Sequence, residues 1–373
     1  MQTFRENGAK PNGFPASGQT SIGIDPLKTV PSPFIMIRSS GQQMKTAVNA
    51  MKTNQMMKTL QIKSTEQAVI VEMPIPEPGP GQVLVKVKEV ATCPQWDLHI
   101  YYGKPMFAHE KEVKFPYSPG QPGHEMTGVV EAAGPGCTLA PGQKVAAWRD
   151  AGHHNPGCYA EYVLMKEEHL LALPDDLPFR KAISLELAMC VAASVMRMKQ
   201  YEGIRGQRCG VNGLGPAGLI AVQMLLAEGA SEVIGIDPNP QRRITAEELG
   251  ATFCCEPESE RIGKRGSAGA LDLAIDCVGY PQAVRSIMDR TNKAVALFAV
   301  QRDDYTLRHQ GLSVIGYPGH FREAAEYSLD LIVKGKLDFA PLISRELPLE
   351  QYAEGVGLLK SQEAIKICFI PGS

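Results

Sequence analysis

The stretch QRCGVNGLGPAGLIAVQMLLAEGASEVIGID, residues 207–237, decides the fold. A short apolar run, Gln207–Asn212, leads directly into Gly213-Leu214-Gly215-Pro216-Ala217-Gly218, and that turn opens an apolar segment of helical spacing over 216–229. Three glycines at this spacing between a strand and a helix have separate uses. The first permits a tight turn, the second lets the backbone approach a pyrophosphate, and the third lets helix and strand pack closely. An anion then meets the free N–H groups and positive dipole of a helix N-terminus. Asp237 ends the next strand, 19 residues after Gly218. A carboxylate there accepts from ribose hydroxyls and repels a 2′-phosphate, which favours NAD over NADP. Arg242 and Arg243 follow closely and weaken that exclusion. The plainer alternative is a packing turn with Asp237 as a helix cap before Pro238. Against it, strand, turn, helix and acid all fall in register.

The same alternation continues downstream. Strands are expected at 232–237, 251–255, 271–279, 293–300 and 312–317, with helical spacing at 239–249 and 281–290. Strands separated by helices imply right-handed crossovers and a doubly wound parallel sheet, an α/β class. From 319 the tail carries one amphipathic helix (321–335) and two strand-like segments, PLISRELPL and AIKICFIP, which are expected to rejoin an earlier domain. Upstream, from 57 to about 180, alternating segments such as VLVKVKEVA (83–91), TGVVEAAG (127–134) and KVAAW (144–148) lie between Pro-Gly turns and read as all-β. Residues 1–56 are rich in Gly, Pro, Ser, Gln and Lys and have only Glu6 and Asp25 as acids. With no long apolar run they read as a disordered extension rather than a targeting segment.

Composition excludes several function classes. The 38 Lys+Arg balance 40 Asp+Glu, for a net charge of -2, so no electrostatic footprint for nucleic acid or an anionic membrane is present. The longest apolar stretch, 182–196, is interrupted by Glu186 and falls short of a membrane span. Nine cysteines in 373 residues do not form the pattern of a secreted disulfide scaffold, which suits a reducing, cytoplasmic setting.

A second constellation lies upstream: Gly123-His124-Glu125-Met126-Thr127-Gly128, with Gly134 and then Cys137. Before it stands Cys93-Pro94-Gln95-Trp96-Asp97-Leu98-His99, and after it Leu185-Glu186-Leu187-Ala188-Met189-Cys190. G-H-E-x-x-G-x(5)-G-x-x-C together with G-L-G-P-x-G, in this order, resembles the medium-chain, zinc-dependent alcohol dehydrogenase superfamily, in its polyol and threonine dehydrogenase-type branch. The resemblance spans 57–373, including PGPGQVLVKV and the GCYAEYV segment at 157–163.

The resemblance implies a GroES-like catalytic domain (57–190, completed by 319–373) around a Rossmann domain (191–318). It implies one catalytic Zn2+ on Cys93 and His124, with an acid from Glu125 or Glu186; Glu186 fits the acid-bearing branch, and Cys190 reads as a packed helix cysteine. Thiolate, imidazole and carboxylate independently make a good zinc shell with one open position. Asp97 is expected to orient zinc-bound His124, and His99 to serve as an outer relay base. The cofactor turn would use Gly213, Gly215, Pro216 and Gly218, with Asp237 and Arg242 at the ribose. Two departures stand out. One extra residue separates Cys93 from Asp97, and the Ser or Thr that usually begins the proton relay is missing. Trp96 either narrows the substrate pocket or packs in the core. The region 148–160 holds only Cys158, so no structural zinc is expected; His153 and His154 read as solvated loop residues.

The implied function is NAD-dependent interconversion of a secondary alcohol, polyol, sugar or amino alcohol with its carbonyl, by a homodimer or homotetramer. The rivals are a zinc-free NAD(P)H quinone or enoyl reductase of the same fold, and a nucleotide-binding protein whose altered cysteine loop has disabled catalysis.

Overall fold

The N-terminal half starts with a β-hairpin, β1 (Met56–Ser64) and β2 (Gln67–Pro74), in a computed structural model that describes residues 55–106, 111–301 and 307–372. The extension expected over 1–56 lies, through residue 54, outside the described residues. β3 (Gln82–Ala91) follows, then a short helix α1 (Pro94–Tyr101), β4 (Glu125–Ala133), β5 (Lys144–Ala147), β6 (Tyr162–Lys166) and β7 (Leu170–Ala172). On β3 the side chains of Val83, Val85 and Val87 are buried on one face, while the other face carries buried Leu84 and exposed Lys86 and is only partly covered. β3 is the hub of this sheet: β4 and β6 both pair with it antiparallel. The close approach of β3 and β4 explains Gly128, where a Cβ would stand 2.5 Å from the Lys86 carbonyl.

A short helix α2 (Phe179–Ala182) and a long one, α3 (Leu185–Glu202), lead into the second half. There β8 (Arg208–Asn212), α4 (Pro216–Ala227), β9 (Glu232–Ile236), α5 (Pro240–Glu248), β10 (Phe253–Cys255), β11 (Leu271–Asp276), α6 (Pro281–Met288), β12 (Thr291–Leu297) and β13 (Ser313–Gly316) form the expected alternation. The six strands are parallel, in the order β10-β9-β8-β11-β12-β13. Strand order reverses direction beside β8, where ligands bind in sheets of this kind. β8 and β9 are almost continuously buried, as strands covered by helices on both faces must be. α3 crosses residue 190 without a break and packs on α4, and also on α7 (Arg322–Val333) of the tail.

The tail then adds β14 (Ile343–Pro348), α8 (Tyr352–Lys360) and β15 (Lys366–Ile370). β15 pairs antiparallel with β3 and parallel with β14, so the N-terminal sheet runs β14-β15-β3-β4-β5-β7 with β6 beside β3. Helix α8 was not expected. Gly355 and Gly357 hide it, yet Tyr352, Val356 and Leu359 fall on one buried face. No helix among the described residues is long and apolar enough to cross a membrane.

Candidate metal centre and nucleotide crevice

The glycine turn has the form its residues dictate. Gly213 sits at φ +90°, where a side chain would be strained, and a Cβ on Gly218 would lie 1.8 Å from the Gly213 carbonyl oxygen. Gly215 differs: a Cβ there would meet nothing within 4 Å. It faces open space before the N-terminus of α4, where it is the cap and, among the described residues, no side-chain cap bonds the first N–H groups. Pro216 begins that helix. Asp237 is buried at the end of β9; its Oδ2 accepts from the Leu214 N–H at 2.7 Å and its Oδ1 from the Asn239 N–H at 2.8 Å. The carboxylate thus fixes the turn it faces. Arg242 Nη1 stands 3.9 Å from Asp237 Oδ2, while Arg243 donates to the Asp237 and Pro238 carbonyls.

The second site draws on five separate segments. Cys93 caps the N-terminus of α1, His124 and Glu125 open β4, Glu186 and Cys190 lie on the first turns of α3, His320 follows β13, and Lys366 opens β15. Donor atoms of Cys93, His124 and Glu125 lie within 4.8 Å of one another, as do those of Glu186, Cys190 and His320. His124 Nδ1 is 2.8 Å from the Pro122 carbonyl, to which it donates; the other ring nitrogen, Nε2, faces Glu186 Oε2 at 3.7 Å. That tautomer leaves Nε2 for a cation.

The electrostatics show which groups are committed. Glu125 is fully buried and holds both oxygens on Lys366 Nζ, at 2.7 and 2.8 Å. Burial pushes its carboxyl up, and Lys366 pulls only part of this back. Glu186 is nearly as buried. Burial works to raise its carboxyl, but His320 and His124 outweigh it and hold it below the usual carboxylate range. Burial works to lower His124, yet its hydrogen bond to Cys93 and the charge of Glu186 lift it well above the usual imidazole value. A half-buried thiol and imidazole beside buried carboxylates, drawing a proton onto the histidine, make a set with excess negative charge. It fits a divalent cation of zinc type.

Asp97 departs from its expected part. It is completely buried, but the hydrogen bond that orients His124 comes from Pro122, and Asp97 Oδ1 instead accepts from the Tyr159 and Tyr352 hydroxyls at 2.8 and 2.9 Å. Oδ2 has no hydrogen-bond partner among the described residues. Burial raises this carboxyl to about 6, against the two tyrosines, which lower it. Pro94, Gln95 and Trp96, between Cys93 and Asp97, all lie in α1, whose turn brings Asp97 to the two tyrosines. His99, on the same helix, has Nδ1 on the Pro105 carbonyl at 2.8 Å, and among the described residues no hydrogen bond ties it to Cys93, His124 or Glu186. Trp96 is half-buried with its ring 4.2 Å from that of His153, so His153 is a packing partner rather than a freely solvated residue. Cys190 is more than packing: its thiol donates to Glu186 Oε1 at 3.5 Å. Cys158 is buried, and burial pushes its thiol up to about 12, as for an inert packed cysteine.

Two residues of the cluster escaped the reading of the sequence. Lys366 had a signal: a lysine inside the apolar strand KICFI must find a carboxylate if the strand is buried. His320 had none, because no spacing rule connects it to residues more than a hundred positions earlier.

Comparison with known proteins agrees with this architecture. Residues 79–175 match the family model for the alcohol dehydrogenase GroES-like domain, and residues 216–303 that for zinc-binding dehydrogenase. The chain is a zinc-type, alcohol dehydrogenase-like member of the medium-chain dehydrogenase/reductase superfamily. It is 28% identical over 348 residues to an L-threonine 3-dehydrogenase of Bacillus subtilis, covering 82% of this chain and 95% of that one. To a (R,R)-butanediol dehydrogenase of the same organism it is 27% identical over 338 residues, 79% of this chain and 94% of that one. In fold it matches a Sinorhizobium meliloti structure described as a zinc-binding dehydrogenase bound to NADP, with a TM-score of 0.73 at 23% identity over 85% of this chain and all of that one.

Proposed function

We propose that this protein is a zinc-containing, NAD(H)-dependent dehydrogenase interconverting a secondary alcohol, polyol, sugar or amino alcohol and its carbonyl compound. One observation carries the reading. Half-buried Cys93 and His124 and buried Glu186 meet at the imidazole Nε2, which is turned away from the Pro122 carbonyl and toward the thiol and the carboxylate, and the loop bearing His320 leaves β13 at the same end of the sheet as the glycine turn. Cys93, His124 and Glu186 would hold the ion. Glu186 is preferred over Glu125 because Lys366 already occupies both oxygens of Glu125. When bound, zinc supplies Lewis acidity to the substrate oxygen and the nicotinamide accepts the hydride. The chain's own residues do the positioning. Pro122 fixes the His124 tautomer, and Lys366 keeps Glu125 from competing. The N–H groups at the start of α4, which no side-chain cap bonds among the described residues, would hold the diphosphate. The proton leaves to water; for His99, Nε2 is the atom left for a relay.

The preference for NAD rests on the Asp237 carboxylate at the ribose position. Arg242, 3.9 Å from it, offsets part of the repulsion, so NADP is accepted more weakly rather than refused. The substrate class follows the relatives: threonine and 2,3-butanediol both carry a secondary hydroxyl beside a second polar carbon. The assembly is a homodimer or homotetramer, supported by β13, which ends its sheet with an edge that no described strand covers. Nine free cysteines suit a reducing compartment and so the cytoplasm.

The test is NAD reduction across vicinal diols, polyols, sugars, amino alcohols and simple secondary alcohols, with zinc measured on the same preparation. About one zinc per chain and NAD-linked oxidation of one of these classes is the expected result. A zinc-free protein that uses NADPH on quinones, or one that binds nucleotide without turnover, would sink the reading.

A further inference from the structure

Glu186 offers its two oxygens to two different sets of partners. Oε2 faces His124 Nε2 at 3.7 Å, whereas Oε1 faces Cys190 Sγ at 3.5 Å and His320 Nε2 at 3.6 Å. Tetrahedral zinc with bonds of about 2.3 Å to sulfur and about 2.0–2.1 Å to nitrogen or oxygen has edges between ligand atoms of roughly 3.3–3.6 Å. Both separations measured on Oε1 are of that length. Sulfur, nitrogen and oxygen therefore already stand near the corners of a shell that does not include Cys93 or His124, and the three donor atoms all lie within 4.8 Å of one another.

We propose that Glu186, Cys190 and His320 form a second site for a thiophilic divalent cation, adjoining the zinc site and sharing Glu186 as a bridging carboxylate. The inference rests on the zinc reading above, because a bridge needs an ion on each side.

The surroundings fit a weaker, reachable site. Glu186 and Cys190 are buried on successive turns of α3, four residues apart, which puts them on one face. His320 comes from another element, the loop after β13, and its side chain is 38% exposed, so an ion can arrive from solvent. Its ring packs edge-on against Tyr317 at 5.8 Å, and Tyr317 in turn against Phe298 at 5.9 Å, which orients the loop. The residue types are soft and borderline donors, which select zinc, cadmium or cobalt over magnesium or calcium. Charge sets the order of filling. The first ion has Cys93 and a Glu186 oxygen; the second adds only the thiolate of Cys190 to a carboxylate already shared. Cys190 must also give up its thiol proton to solvent on binding, and burial holds that proton firmly. The second ion therefore binds more weakly than the first.

Full-length protein as purified, with its zinc content measured, is titrated with Co2+. Zinc in the first site is spectroscopically silent, so thiolate-to-cobalt charge transfer reports the second site. The expected result is one further equivalent per chain with a charge-transfer band in the near ultraviolet. Cys190→Ser should abolish that band. His320→Gln, on an exposed loop where folding is not at stake, should weaken cobalt binding by about 10-fold or more, in keeping with the loss of a ligand from a metal shell. A wild-type protein without the band, or a band unchanged in both variants, overturns the proposal. The zinc content is a separate readout: protein that holds no zinc contradicts the proposed function, whereas a Cys190-dependent cobalt band would still support the Glu186–Cys190–His320 site.

Discussion

The nucleotide crevice and the metal centre are built in opposite ways. The crevice is local: Gly213, Gly215, Gly218 and Asp237 fall within one strand–turn–helix–strand unit, and most of its interactions involve the backbone, such as the Leu214 N–H on Asp237. The metal centre gathers side chains from α1, β4, α3, the loop after β13 and β15, and it works only if the two sheets and the tail are all in register. A crevice of the first kind tolerates change elsewhere in the chain. A centre of the second kind concentrates buried charge, and its failures are expected to be both chemical and structural.

The sharpest way to separate the two regions is His124→Ala. Losing the ligand whose Nε2 faces Glu186 should remove bound zinc and several kcal/mol of stabilisation at the reacting oxygen, a fall in turnover on the order of 10³-fold or more. NAD affinity, measured by calorimetry, should stay within about threefold; a large loss would show that the regions are not separable. Lys366→Met leaves Glu125 buried and unpaired, so chemical denaturation should report a loss of about 3–5 kcal/mol. Adding Glu125→Gln to that variant should recover most of it, since the isolated charge is then gone.

Asp97 tests the buried charge through pH. Burial raises its carboxyl from an ordinary 3.8 to about 6, worth about 3 kcal/mol at most. For an acid shifted upward the sign is unfavourable to the ionised fold. Below about pH 4 the group is protonated folded and unfolded and costs nothing; between about 4 and 6 the unfolded chain releases the proton first and stability falls; above 6 the full cost applies. Relative to Asp97→Asn, metal-stripped wild type should therefore lose stability as pH rises from 4 to 7. A flat difference in denaturation midpoints would contradict the shift. At the crevice, Asp237→Ser should reduce kcat/KM with NAD by roughly 10–100-fold, the value of a hydrogen bond to a charged group, and with NADP by less. Zinc content should not change.

This contrast also explains what the sequence revealed. Residues 207–237 were legible because the turn is local: Gly213 needs its positive φ, Gly215 leaves open space, and a Cβ on Gly218 meets the Gly213 carbonyl. The parallel direction of β8–β13 followed from alternation alone; their order in the sheet did not. At the metal centre, Cys93, His124 and Glu186 were visible as residue types of suitable chemistry, but their partners were not. Nothing local says that Lys366 occupies Glu125, that Pro122 rather than Asp97 orients His124, or that His320 reaches Glu186. Those pairings depend on which strand lies next to β3 and where the loop after β13 ends. Helix α8 shows the same limit from another side: its two glycines lower helix propensity, and packing by Tyr352, Val356 and Leu359 overrides them.

The pairing of Glu125 with Lys366, 241 residues apart, has a consequence for the order of events during synthesis. When the ribosome has delivered β3 and β4, the strand that must lie beside β3 does not yet exist. Until β15 exists Glu125 is without its lysine, and once Glu186 has been made both carboxylates are available beside His124. Only after residue 366 has cleared the exit tunnel can the lysine dock and engage both oxygens of Glu125. The last strand of the fold thus carries the residue that settles which carboxylate beside His124 is free.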